Sequence, residues 1–271
     1  MLKPSHFALM SLTVLAVSTT QAQAERFIAD YEIAWEGLHI GVFDTELVAD
    51  PERYRITYSA RTEGLLGWLF PFVSGGFSEG RRAERQTIPE HYQGGSEYRD
   101  ETNSWAVTFD TDGQAVEIVV PAEDLAERDP VPEALRIAPD PLALALGAIG
   151  QAEPGLRLVG TSFDGKRALR FELVCADALT PVTDIPAGAA AAASREELAC
   201  TVGGKLIAGG SERWRQRNQN NEQQREPATV WLRRGLVEGG FWPVRVEATT
   251  RFGAVTVELV NIQSIASPTP N

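Results

Sequence analysis

Residues 76–80 read Gly-Phe-Ser-Glu-Gly, the spacing of a nucleophile elbow. In that motif a strand-to-helix turn exposes the serine beside an oxyanion hole, and an acid and a histidine follow later in the chain. The only histidine after Ser78 is His91. An arginine-rich, strand-like stretch follows the serine where the elbow needs a helix, and the α/β alternation of that fold is missing. A glycine-rich strand or turn is the simpler assignment, and serine hydrolysis through Ser78 ranks last among the functions considered.

Other reactive groups are sparse. His39 and His91 each stand alone in strand-like surroundings, without a second metal ligand nearby. The carboxylate pairs Glu123-Asp124 and Glu196-Glu197 fall in segments read as loops and look like solvated charge. No phosphate-binding loop or dinucleotide fingerprint occurs. These residues therefore imply no catalytic group, no cofactor and no metal. The balance of 25 Lys and Arg against 37 Asp and Glu gives a net charge of −12, which repels phosphate backbones and argues against a nucleic-acid partner.

What remains is apolar. Gly64-Leu-Leu-Gly-Trp-Leu-Phe-Pro-Phe72 carries no charge, and a bilayer span takes about 20 such residues. A run this short is either buried by the rest of the chain or holds something apolar. Trp35, Phe43, Tyr58, Leu65, Leu66, Trp68, Leu69, Phe70, Phe72 and Phe77 crowd into one region of the chain. Such side chains are the ordinary contents of a β core. Alternatively, some of them line a pocket or its lid and bind an acyl chain, each buried methylene contributing about 0.8 kcal/mol.

The elements that would position them are mostly strands. Residues 1–24 read as an export leader: Lys3, an apolar core from Phe7 to Val17, and Ala22-Gln23-Ala24 before the cut. No cysteine follows the cut, so a lipid-modified N-terminus is not expected, and no later stretch is long enough to span a membrane. The expected location is the periplasm, where Cys175 and Cys200, the only cysteines, would most simply form a structural disulfide. Their separation is unlike that of a redox C-x-x-C pair.

From residue 25 onward the chain reads as one β-rich domain. Apolar residues alternate over 26–35, 38–48 and 53–61, then resume at 72–79 and 89–109. Asp112-Gly113 and Asp164-Gly165 mark hairpin turns. The proline-rich stretch 121–139 reads as a connector rather than an element. Asp140 to Gly150 is the best helix: Asp140 can cap it, Pro141 suits its first position, and its lack of a charged face requires enclosure on nearly all sides. Strands follow near 156–163, 166–175, 200–208, 228–233, 241–251 and 254–262. The Ala-rich segment within 176–197 and the Arg/Gln/Asn tract near 214–226 read as flexible loops, and 267–271 as a disordered tail. The expected fold is mainly β, a large curved antiparallel sheet, half-open or closed like a barrel, wrapped around one short apolar helix.

Several short segments stand in a telling order: Tyr31-Glu-Ile-Ala-Trp-Glu-Gly37 with Gly41, Tyr54-Arg-Ile-Thr-Tyr-Ser, Thr62-Glu-Gly-Leu-Leu-Gly67, Pro89-Glu-His-Tyr92, Asp140-Pro-Leu142, Asp164-Gly-Lys-Arg167, and Trp231-Leu with Trp242-Pro-Val-Arg245. Together they resemble an uncharacterised bacterial exported family, domain of unknown function 3108. The resemblance implies a fold similar to the periplasmic lipoprotein carriers, and it supplies no catalytic residues. The leading functional expectation is non-enzymatic binding or carriage of a lipid, lipoprotein or other apolar envelope component. The second is a structural protein of envelope assembly that docks a protein partner through a sheet edge or loops.

Overall fold

Strand-forming residues dominate, and the strands assemble into one antiparallel sheet. The computed structural model describes residues 24–83, 86–182, 196–212, 226–236, 240–250 and 252–266. The expected leader, the Ala-rich segment, the Arg/Gln/Asn tract and the tail lie wholly or mostly outside these residues. The strands are β1 (Glu25–Trp35), β2 (Leu38–Ala49), β3 (Arg53–Thr62), β4 (Phe72–Ala83), β5 (Gln86–Tyr98), β6 (Glu101–Phe109) and β7 (Ala115–Val119). After a connector come β8 (Arg157–Phe163), β9 (Ala168–Cys175), the two-residue β10 (Thr180–Pro181), β11 (Glu196–Ala208), β12 (Ala228–Arg234), β13 (Phe241–Thr250) and β14 (Gly253–Ala266).

The first seven strands form a meander, and the rest return from the far edge. The spatial order is β7-β6-β5-β4-β3-β2-β1-β14-β13-β12-β11-β9-β8, with β10 on β11. Last strand pairs with first, Glu25 opposite Ala266 and Trp35 opposite Val255. The sheet does not close: β7 and β8 are its two edges. Gly41 sits where β2 and β3 approach closely, since a Cβ there would lie 2.3 Å from the Arg61 carbonyl oxygen.

The connector between the two edges carries three short elements. The stretch 121–139, expected to be irregular, contains helix α1 (Ala122–Ala126) and a 3₁₀ turn (Glu133–Leu135). Prolines at 121 and 132 precede them, which suits helix starts as well as turns. Helix α2 (Pro141–Gly150) follows, with the Asp140 carboxylate accepting from Leu142 N–H and Ala143 N–H. It packs on β4, β5, β8 and β13.

This helix joins three apolar clusters. Ala143 belongs to the first, with Phe27, Tyr31, Tyr54 and Trp242. Ala148 belongs to the second, with Leu173, Leu198, Leu232 and the Cys175–Cys200 disulfide. Leu142 packs against the third, which contains Tyr92, Val107, Phe109 and Phe163. An element with no polar face is stable only inside such a wrap. Enclosure is nevertheless incomplete, because Ala145 and Gly150 remain exposed.

Side chains bridge the gap that the backbone ladder leaves open. At the β8–β9 turn Gly165 has φ +90°, and a Cβ there would meet Val107 Cγ2 of β6 at 2.9 Å. The next residue, Lys166, is buried. Its Nζ lies 3.6 Å from the centre of the Trp105 ring and 2.9 Å from Asp124 Oδ2 of α1.

Candidate apolar binding site

The uncharged run forms a third helix, α3 (Gly64–Leu69), between β3 and β4. Gly64 supplies φ +61° at its start. Gly67 passes so close to Thr62 that a Cβ would lie 2.8 Å from the Thr62 carbonyl oxygen. Phe70 N–H donates to Leu66 O at 2.7 Å. Thr62 Oγ1 donates to Phe70 O at 2.9 Å and accepts from Phe72 N–H at 3.0 Å, fixing the loop where it re-enters the sheet.

Being uncharged did not bury this run. Leu65 is 73% exposed, Trp68 78% and Phe70 50%, while Leu66 is half-buried at the base. Strand register puts three more turns at the same end of the sheet: Trp35 opposite Leu38, Tyr98 opposite Glu101, and Thr250 opposite Gly253. They add exposed Leu38, Tyr98 and Phe252. Lone exposed apolar residues need no explanation, but a cluster around one rim marks an interaction site.

Below the rim the concave face is aromatic. The rings of Tyr31 and Phe43 are 5.6 Å apart, and those of Phe43 and Tyr58 6.1 Å. Tyr58 lies against Gly76, and Trp105 against Gly94. Asn103 Oδ1 is buried there without a hydrogen-bond partner among the described residues. Trp35 belongs to the rim, its indole N–H donating to Phe252 O at 2.7 Å. Phe77 points the other way, to the convex face, under the Arg55 guanidinium at 4.1 Å. Of the ten apolar candidates, the fold thus brings Leu65, Leu66, Trp68, Leu69, Phe70, Phe72 and Trp35 to one rim, and Phe43 and Tyr58 beneath it.

Charge near the helix is paired locally. Glu63 contacts His39 at 3.2 Å and Arg61 at 2.9 Å, and Arg61 also reaches Asp44 at 3.1 Å. The His39 hydrogen bond, then Arg61, hold the Glu63 carboxyl below its ordinary value.

Ser78 sits far from the geometry of an elbow. It is fully buried on the concave face of β4. Its Oγ donates to Asp140 Oδ2 at 2.7 Å and lies 3.0 Å from Tyr54 Oη. Burial raises the Asp140 pKa to about 6, opposed by donors from Ala143, Ser78 and Leu142. The Tyr54 hydroxyl is pushed above its ordinary value by burial and then by the Asp140 charge. His91 is exposed and faces Glu79 across the strands.

One member of each carboxylate pair differs from its expected solvated state, while Glu123 and Glu196 remain exposed. Glu197 lies in β11 and accepts from buried Arg233 at 3.1 Å. Asp124 lies in α1 between Lys166 and Arg128, each at 2.9 Å or less. Burial pushes Asp124 up, but its two cationic partners outweigh this and hold it below the ordinary carboxylate range. Sequence reasoning missed both because Arg233 and Lys166 are distant in the chain, and Arg128 is in reach of Asp124 only once the stretch is helical.

A second concavity of about 290 Å³ lies beside α2, with Thr87, Ile88, Leu144, Val159 and Gly160 among its lining residues and none of the ten apolar candidates. Here β8 presents an edge that no other strand pairs among the described residues. Asp164 N–H donates to Arg167 O, and Cys175 N–H to Leu156 O, which fixes the phase of the β8–β9 ladder. Alternation then turns the backbone groups of Val159 and Thr161 away from β9.

No curated protein sequence matches the chain. Among solved structures it is similar to a β-barrel-like protein of domain of unknown function DUF1849 from Brucella abortus, with 11% identity, TM-score 0.46, and coverage of 90% of this chain and 98% of that one. It is also similar to a DUF1329 family protein from Desulfovibrio piger ATCC 29098, with 9% identity, TM-score 0.23, and coverage of 90% and 86%. Among the described residues no helix is long and apolar enough to cross a membrane. A family model matches residues 30–260, and the chain belongs to that family, described as protein of unknown function (DUF3108).

Proposed function

We propose that this protein is exported to the periplasm and there binds an apolar envelope component, an acyl chain of a lipid or lipoprotein, without catalysing a reaction on it. The observation that carries this reading is the exposed, uncharged helix α3 at the rim of an unclosed sheet whose concave face is aromatic just below. Water-exposed Leu65, Trp68 and Phe70 lose solvent contact when an acyl chain lies across them. Each large side chain fully buried favours association by about 1.5–3 kcal/mol. Ser78, the one residue with a nucleophile motif, is occupied in holding α2, which supports a binding role over hydrolysis.

Uptake of cis-parinaric acid, a fluorescent fatty acid, tests the reading in vesicle-free buffer. The wild-type protein is expected to bind it saturably, and Leu65→Ser with Trp68→Ser to weaken binding about tenfold. No saturable uptake, and no lipid in the purified protein, would reject it.

A second reading has its own support in the edge of β8. An extended peptide could add to the sheet through Val159 and Thr161, as in β-strand addition. Capture of a stoichiometric protein partner, lost on Thr161→Pro, would favour it.

A further inference from the structure

We infer that the α3 loop is a membrane-docking element that enters the acyl region of an electroneutral bilayer surface. This deepens the proposed function, on which it rests, by naming the source of the guest. Three independent features carry it. First, residues 64–73 present Leu65, Trp68, Leu69 and Phe70 outward on a short projecting helix. An apolar face with tryptophan is the composition that settles at the boundary of headgroups and acyl chains.

Second, the polar backbone where the loop returns to the sheet is satisfied internally. Thr62 Oγ1 serves both Phe70 O and Phe72 N–H, and Phe70 N–H is bonded to Leu66 O. Hydrocarbon supplies no hydrogen bonds, so backbone that enters it must be satisfied this way. Third, the charges directly behind the helix are paired locally, through Asp44–Arg61, Arg61–Glu63 and Glu63–His39. That leaves no single-sign ring for an acidic or basic peptide, and the protein's net charge of −12 disfavours an anionic surface. The complementary partner is an uncharged apolar layer.

Co-sedimentation with phosphatidylcholine vesicles tests this directly, using wild-type protein and the Leu65→Ser/Trp68→Ser variant. Wild type is expected to sediment, and the variant to bind about tenfold more weakly. Replacing part of the phosphatidylcholine with phosphatidylglycerol is expected to give no gain. Lipids brominated in the acyl chain should quench tryptophan fluorescence, and Trp68→Phe should reduce that quenching while still sedimenting. Failure of wild type to sediment, equal sedimentation of the double variant, or stoichiometric capture of a protein by α3 in place of vesicles would overturn the inference. Parinaric acid uptake separates the two claims. Uptake without sedimentation removes only the docking, and sedimentation without uptake removes only the guest-binding reading.

Discussion

Ser78 of β4 donates its hydroxyl proton to Asp140 at the start of α2, with 2.7 Å between Oγ and Oδ2. One carboxylate therefore caps the helix through Oδ1 and ties it to the sheet through Oδ2. Tyr54 extends the link to β3. Because α2 touches all three apolar clusters, this contact sets the placement of the core.

Ser78→Ala removes a buried donor and leaves Asp140 and Tyr54 each one partner short. The expected cost is about 1–3 kcal/mol of unfolding free energy, read from urea denaturation. Labelling by an ester-reactive probe should be equally absent in wild type and variant.

Asp140 makes stability depend on pH in a direction opposite to a salt-bridged carboxylate. Its folded pKa of about 6 lies above the ordinary 3.8, so between these values the folded state holds more protons than the unfolded one. Its contribution therefore weakens as pH rises through that window. Asp140→Asn keeps the oxygen that accepts from the backbone and removes the charge. Relative to wild type, the variant should gain up to about 3 kcal/mol between pH 4 and pH 8. A constant difference across that range would contradict this account.

Lys166 is the cation that bridges the open edge. Lys166→Met keeps much of the stem over Trp105 but takes one of two cations from Asp124. Loss of about 2–4 kcal/mol is expected, together with a change in tryptophan emission. Unchanged stability would mean that the edge hairpin is held by Gly165 and its apolar neighbours alone.

Cys175 and Cys200 are directly opposite across β9 and β11. Replacing both with serine should lower stability by about 3 kcal/mol and make the pair insensitive to reductant.

Leu65→Ser and Trp68→Ser should leave stability within about 0.5 kcal/mol of wild type, because neither side chain is buried by the protein. A large loss in thermal melting would show that the rim is packed in solution.

Much of the architecture was legible in order and type. Strict alternation from Tyr54 to Ala60 could suit only a strand with one covered face, and Asp140-Pro141 before an all-apolar run could suit only a capped, enclosed helix. The two cysteines could be paired because no others compete. These signals are local: backbone period, capping chemistry and turn residues act within a few positions of themselves. Tertiary structure decided everything that depends on which distant segments meet. It turned Ser78 inward onto Asp140, set Lys166 between Trp105 and Asp124, and sent Phe77 to the convex face while Phe43 and Tyr58 faced inward. It also left the uncharged run of residues 64–72 facing water, because hydrophobicity states the cost of exposure and only packing decides whether a covering surface is supplied.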